Sequence, residues 1–501
     1  MFSVSIIISG VIFLASFIWA YFFFNYPTLD DIARAYSFIH AFVKKDVYIY
    51  QLDTSYHGAL INGIVYYIFF KIFGINILSW RISNSFMLAL ASAVALSYLK
   101  RNQQKVIFAI LMIFSDIAFR RNILLGGDYA IIPLLTFSTI LLPPFIRGIS
   151  AGLGLSTNPL FIFLLPIALY KNSKKKFLTG FLIGLTPLLI FNAYNVIINL
   201  NLANLSDFKL PLPPTLADML IRYKEVISSE TIKTRGFHIY TLFVLLLISI
   251  LMLKNSKFLN FNFVVSYLIY FYSSLIEERY SLFFYCLSFL TIADSFPYLT
   301  EKKEIGEENK ASTIVRKITQ AVFLLLIVLF VYSSLFSLSS DKNPCISYLQ
   351  FPYSHKHCSK FDYKPIIKDV LCLKDYLEKN NLDYKEFGGD VLSTGLIKFF
   401  NPSANIYYLF NPWTYFIPRE FNGETKLRFS IEYYGLSYPP PREEYDLGFI
   451  RRSIDICNFK IRAYYPPMTR EEIQKGIFGK SYVRESGIKE ILSHILQNYR
   501  K

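Results

Sequence analysis

Residues 4–24 (VSIIISGVIFLASFIWAYFFF) contain no charged side chain. A helix over them is long enough to cross a bilayer core, which takes about 20 apolar residues. A run of this kind must be covered by lipid or by other protein, and it is not the only one. Apolar windows, most of roughly 16–25 residues with two shorter, recur near 80–98, 105–118, 128–146, 148–158, 159–170, 177–198, 238–253, 258–276, 281–297 and 314–338. The pattern predicts a polytopic α-helical membrane protein of about 11 transmembrane helices. Within 148–170, Pro159 removes a backbone donor and disfavours helix at Asn158. The stretch reads either as one long helix broken there or as a re-entrant hairpin.

Composition agrees. The chain is 53% apolar and 18% aromatic, with too little polar surface for a soluble fold of this length. The formal charge of +16 does not point to nucleic acid, because the cations gather in short links between apolar runs and no basic arm is present. The first segment lacks the basic start of a signal peptide and ends in aromatics, so it reads as a retained anchor.

Those links set an orientation. Lys100, Arg101 and Lys105 form one group, Arg147 stands alone, and Lys171, Lys174, Lys175 and Lys176 form the densest. Lys254 with Lys257, and Arg316 with Lys317, follow. If all are cytoplasmic, the N-terminus is inside, and loops 25–79, 119–127, 199–237 and 277–280 share the outer face with the C-terminal region. Residues 59–73 (ALINGIVYYIFFKIF) are apolar but short, and read as an amphipathic helix on the membrane surface.

The expected domains are 1–338, transmembrane with an outer catalytic loop 25–79, and 339–501, an extracytoplasmic α/β domain. In the latter, 364–381 shows helical periodicity, GGDVLST and ANIYYLF read as strands around GLIKFF, and TREEIQKGIF and SGIKEILSHILQNY read as helices. Cys345, Cys358, Cys372 and Cys457 lie there and permit two disulfides in three pairings. Cys286 lies in an apolar span and reads as a buried thiol.

Chemistry-bearing residues crowd the outer loops. Asp30 and Asp31 follow the first span. Charges beside a bilayer are costly and tend to have a task; capping the helix IARAYSFIHAF accounts for one acid more easily than for two. Arg34 lies one turn on, suited to gripping a phosphate or to pairing with these acids. Asp53 and His57 precede the surface helix, where a lone His beside Gly is also an ordinary loop residue. Arg120 and Arg121, at an outer helix end, suit an anionic headgroup or snorkel, and Asp128 opens the next span. Glu277, Glu278, Arg279 and Tyr280 make a tight outer turn that either lines a site or neutralises itself. Arg81 opens its span on the same side, and Asn204-Leu205-Ser206 is a sequon of little weight. No phosphate-binding glycine loop or nucleophile elbow occurs, so ATP-driven transport finds no support.

This order of features resembles the lipid-phosphate-dependent glycosyltransferases of the GT-C fold, nearest the protein O-mannosyltransferase and aminoarabinose transferase branches. The likeness covers roughly residues 1–190 and the turn near 277–285. LDDIARAY stands for the family's acidic pair, with Asp31 in place of the usual Glu; His57-Gly58-Ala59-Leu60 lacks the family's prolines. The helix, glycine turn and Arg-start span are matched by Lys71, Gly74 and Arg81, the Arg-rich turn by AFRRNILLGGDYA, and the Arg-Tyr turn by Glu278-Arg279-Tyr280.

The resemblance implies transfer of a sugar from a polyprenyl-phosphate donor to an acceptor hydroxyl, with inversion, on the outer face. Asp30 or Asp31 would be the general base. Arg34, Arg120, Arg121 and Arg279, with His57, would hold the lipid phosphate; Asp53, Asp128, Glu278 and Tyr280 would line the substrate. Partners would be the membrane, the lipid-linked sugar and a protein, lipid or glycan acceptor, with no nucleic acid. No cofactor is required, no metal ligands are assigned, and a divalent metal stays compatible. A secondary transporter and a non-catalytic membrane-anchored scaffold are the alternatives.

Overall fold

The computed structural model describes residues 2–23, 60–116, 119–120, 123–124, 129–170, 173–199, 229–276, 280–297, 310–340, 363–410, 427–433 and 450–468. The described chain is mostly helical with one small sheet. It divides into two compact units: residues 1–25, 81–186 and 213–358, and residues 26–80, 187–212 and 359–501.

The first unit is a helical bundle. Its elements are α1 (Phe2–Phe23), most of α3 (Ile77–Tyr98), α4 (Asn102–Ile113), α5 (Ile132–Leu141), α6 (Pro144–Thr157), a 3-10 helix (Pro159–Leu164), α7 (Leu165–Leu169), the first half of α8 (Lys174–Asn199), α9 (Ser229–Leu253), α10 (Phe261–Ile276), α11 (Ser281–Ser295) and α12 (Lys310–Ser340). Every residue of α11 is buried, as a helix apolar on all sides requires. The outer helices turn large apolar side chains outward, among them Ile7, Leu14, Leu247, Leu268, Leu324 and Val328.

Among the described residues, two helices, Val4–Phe22 and Ile77–Tyr98, are long and apolar enough to cross a membrane. The other apolar helical stretches among the described residues run to 10–17 residues, so eleven full spans are not shown. Local chemistry trims them: α4 gives way to Ser115-Asp116, and α5 stops at Leu142, an extended residue before Pro143.

Helix directions follow from their contacts. Ser5 Oγ donates to the Leu96 carbonyl at 3.2 Å and accepts from Lys105 Nζ at 2.9 Å, so the start of α1 meets the end of α3 and the start of α4. Gln104 Nε2 donates to the Asp294 carbonyl at 2.9 Å, whereas Tyr285 reaches Asp116, so α4 and α11 are antiparallel. Tyr267 pairs with Ser288 and Tyr270 stacks on Phe283, making α10 antiparallel to α11. Phe289 packs on Phe330 and Phe296 on Phe323, so α12 opposes α11 too. The C-terminal ends of α1 and α12 therefore both lie at the end of the bundle that carries Asp116.

At Asn158 the chain folds back. Asn158 caps the 3-10 helix by accepting from Leu160 N at 2.9 Å, with Pro159 at its first position. Gly154 faces the Phe161 ring and Ala151 packs with Ala168, so α6 and the segment through α7 form a hairpin. Gly148 and Gly152 on α6 approach the carbonyls of Phe177 and Phe181, while Gly180 and Gly184 on α8 approach those of Phe145 and Ile149. The register rises together, so α6 and α8 are parallel and joined by facing small-xxx-small stripes.

The second unit holds α2 (Leu60–Phe73), α13 (Tyr363–Lys379), α14 (Val391–Phe400) and a sheet of β1 (Phe387–Asp390), β2 (Tyr407–Phe410), β3 (Leu427–Tyr433), β4 (Ile450–Ile456) and β5 (Phe459–Met468). Tyr66 and Phe70 of α2 pack edge-on against Trp80, which also stacks on Phe399 at 5.5 Å. Gly74 ends α2 at a φ of 78°, the left-handed value glycine tolerates, and Asn76 caps α3 through Ser79 N at 2.8 Å. The short apolar helix, the glycine turn and the new helix thus follow the predicted order.

The sheet order is β2-β1-β3-β5-β4, with β1 parallel to β2 and β3 and the remaining pairs antiparallel. An α/β fold is what the C-terminal region was predicted to have, but GGDVLST is not one strand. The strand ends at Asp390, and VLST opens α14, which continues through GLIKFF. Leu396 and Ile397 of this helix sit in the core. Cys372 on α13 is bridged to Cys457 in the β4–β5 turn. Of the three pairings, one contains this bond; its second bridge would join Cys345 and Cys358, which lie outside the described residues. Cys286 is a buried free thiol, as expected. The helices expected in TREEIQKGIF and SGIKEILSHILQNY lie outside the described residues.

Candidate functional site

At the end of the bundle where α1 and α12 leave, four segments bring polar side chains into an apolar surround. Asp116 follows α4, His238 lies in α9, Tyr285 is one turn into α11, and Trp19 is near the end of α1. Tyr285 Oη donates to Asp116 Oδ2 at 2.8 Å, and His238 Nδ1 meets the same oxygen at 2.7 Å. Asp116 is 0% exposed and His238 7%. A carboxylate so deep needs compensation, and the two donors provide it when Nδ1 carries its proton. That tautomer leaves His238 Nε2 an acceptor; a protonated ring makes it a donor.

Arg120 stands one turn after Asp116, its amide donating to the Asp116 carbonyl at 3.1 Å. Its guanidinium lies over the Trp19 ring, 4.0 Å from the centroid, a cation–π contact. Arg120 is 4% exposed, and its Nε, Nη1 and Nη2 have no hydrogen-bond partner among the described residues; nor has His238 Nε2. Burial pushes the guanidinium down to about 9, and the nearby Asp116 charge works against that fall. At neutral pH the group keeps its charge. Leaving such polar atoms unsatisfied inside a fold costs more than the usual hydrogen-bond increment, so these four atoms are what most strongly mark a ligand-facing site. The fork of Arg120 suits a phosphoryl or carboxylate oxyanion.

Of the residues singled out in the sequence, Arg120 is in this cluster. Tyr280 is half-buried at the N-cap of α11, the helix that carries Tyr285. Asp30, Asp31, Arg34, Asp53, His57, Arg121, Asp128, Glu278 and Arg279 lie outside the described residues. Arg81 is wholly buried, with Nη1 donating to the Leu124 carbonyl at 3.0 Å, beside Asn84 on the same oxygen at 2.9 Å. Sequence reasoning passed over Asp116, His238 and Tyr285. The first two were findable as ionisable groups at the edges of apolar runs, IFSDIAF and RGFHIYT; the tyrosine carried no such mark among so many.

Among the described residues, no three His, Cys, Asp or Glu side chains gather as an ion site would require. Compared with protein-family models, with curated proteins and with solved structures, the chain matches none.

Proposed function

We propose that this chain is an integral membrane glycosyltransferase that moves a sugar from a polyprenyl-phosphate donor to an acceptor hydroxyl on the extracytoplasmic face, with inversion. The observation that carries the reading is the buried Arg120 guanidinium, which has no hydrogen-bond partner among the described residues, at the bundle end where α1 stops. A dry, preorganised cation is worth most where negative charge develops, and a departing lipid phosphate develops it. In this reading the bundle spans the membrane, the links bearing Lys100 and Lys257 face the cytoplasm, and the C-terminal α/β region is outside.

One of the loop aspartates takes the proton of the acceptor hydroxyl, whose oxygen attacks the anomeric carbon. The bond from that carbon to the phosphate oxygen breaks, and its electron pair stays on the phosphate. Arg120 offsets the new charge, and Asp116 with Tyr285 holds the His238 ring so that Nε2 faces the same site. The exposed apolar belt of the bundle supports a lipid environment.

The test uses purified full-length protein in lipid nanodiscs with short-chain polyprenyl-phosphate sugars, reading release of polyprenyl phosphate. The Asp30→Asn, Asp31→Asn double variant should lose release by at least about a hundredfold, the lower scale of a general base. Undiminished release in that variant removes the assigned base.

A further inference from the structure

The opposite end of the helical bundle carries a cleft of about 630 Å³ between the end of α3, the end of α5 and the α9–α10 link. Its walls include Val94 and Leu142, Ser97 and Tyr98 add hydroxyls, and Lys100 and Lys257 stand at the rim. The two lysine-bearing links are not loose. Gln104 Oε1 accepts from the amides of Lys100 and Arg101, each at 3.0 Å, while its Nε2 donates to the Asp294 carbonyl. Asp294 Oδ2 in turn accepts from the Lys257 amide at 3.0 Å. One glutamine and one aspartate thus tie both cations to the ends of α4 and α11.

The charges do not balance. Arg147 lies within electrostatic reach of Tyr98, and its Nε donates to the Leu142 carbonyl at 3.0 Å. Asp294 Oδ1 is 3.9 Å from Lys257 Nζ. Neither Lys100 nor Arg147 has a carboxylate partner among the described residues. Three cations held around an apolar-walled cleft repel one another unless an anion joins them. An apolar wall below a cationic rim fits an amphiphile whose charged part is a phosphodiester, and basic pockets between helices are where such headgroups bind.

We propose that this cleft binds the headgroup of an anionic phospholipid from the cytoplasmic leaflet. The assignment rests on the membrane reading above and on no part of the transfer chemistry. Tyr98 donates to a phosphodiester oxygen, Lys100 and Lys257 neutralise it from two sides, and one acyl chain lies along Val94.

The experiment is native mass spectrometry of the full-length protein released from nanodiscs holding phosphatidylcholine and phosphatidylglycerol, counting the lipids retained. Wild type should retain phosphatidylglycerol preferentially. Lys100→Gln with Lys257→Gln should lower that retention by about tenfold or more, the scale of two lysines near an anionic headgroup. Lys257→Arg should keep it, and Lys174→Gln, Lys175→Gln, Lys176→Gln, at the exposed start of α8, should leave it unchanged. Equal retention of the two lipids by wild type, or undiminished retention by the double glutamine variant, overturns the proposal. Displacement of the lipid by millimolar inorganic phosphate overturns it as well, in favour of a soluble anion. Extraction of wild type from membranes by alkaline carbonate sinks the membrane reading separately.

Discussion

The same small motif occurs in both units, once buried and once at the surface. Asp116 Oδ2 accepts from Tyr285 Oη at 2.8 Å and meets His238 Nδ1 at 2.7 Å; Asp369 Oδ2 accepts from Tyr433 Oη at 2.7 Å and from Asn458 Nδ2 at 3.0 Å. Around Asp369 every group has an evident structural use. The contact fastens α13 to the β4–β5 turn, and the Cys372–Cys457 bridge fastens the same two elements again. Around Asp116, Arg120 and His238 keep donor or acceptor atoms that no described residue bonds. A carboxylate with a tyrosine is therefore not a site by itself. The spare atoms beside it, held dry, are what distinguish the bundle's version.

The sharpest way to break that distinction is Arg120→Gln. If the cluster serves a departing phosphate, the substitution should lower lipid-phosphate release by about 10²–10³, the loss of one oxyanion-stabilising donor, with the protein still folded by size exclusion. Release within twofold of wild type would make Asp116 and its neighbours as structural as Asp369. The surface copy should answer only in stability. Replacing Cys372 and Cys457 by Ser should cost about 2–4 kcal/mol, read as a lower thermal midpoint, while release at a temperature below that transition is unchanged. A disulfide-linked peptide pair carrying both cysteines in a non-reduced digest checks the bond directly.

How far all this was legible varies with the range of the interaction. Apolar period and length located α1, α2 and α3 to within a few residues, because a helix's apolar face is written locally. The turn at Gly74 and the break at Asn158-Pro159 were legible for the same reason: both rest on one residue's backbone freedom. The boundary after Asp390 was not. GGD and VLST are each compatible with a strand, and what ends β1 is tertiary, the docking of Leu396 and Ile397 into the core. Sheet order was not legible either, since β1 pairs with one strand on each side, β2 and β3, at separations no local pattern encodes. Among site residues, Arg120 stood out as a charge at an apolar boundary. Its Asp116–His238 neighbours come from segments more than a hundred residues apart, and only the bundle's folding brings them together.

A second buried acid refines the comparison. Asp294 is almost fully buried, like Asp116, but its Oδ2 serves a backbone amide, that of Lys257. Asp294→Ala leaves that amide without its acceptor and should cost about 1–3 kcal/mol, seen as faster hydrogen exchange at Lys257 and a lower midpoint. Its effect on lipid-phosphate release at matched folded concentration should be within a few-fold. A hundredfold loss would mean that the two ends of the bundle are coupled, and that burial of an acid says more about function here than the spare atoms do.

The smallest expected effect separates the two tyrosines. Tyr433→Phe removes one hydrogen bond to a half-buried carboxylate and should cost about 0.5–1.5 kcal/mol, without touching release; Tyr285→Phe should lower release severalfold, by loosening the His238 ring. The alkaline limb adds a sign. Burial raises the Tyr433 hydroxyl well above its ordinary value, and the Asp369 hydrogen bond and charge raise it further. A group whose folded value is raised contributes its stability in full below its unfolded value, roughly 10 for a phenol, and loses it as pH rises through the folded one. Wild type should thus lose β3 protection from hydrogen exchange, taken relative to the intrinsic base-catalysed rate, only at strongly alkaline pH, whereas Tyr433→Phe is weaker at neutral pH and flatter above it. Identical pH profiles for the two proteins would show that Asn458 and the disulfide alone hold α13 to the turn, and the surface copy of the motif would then be incidental.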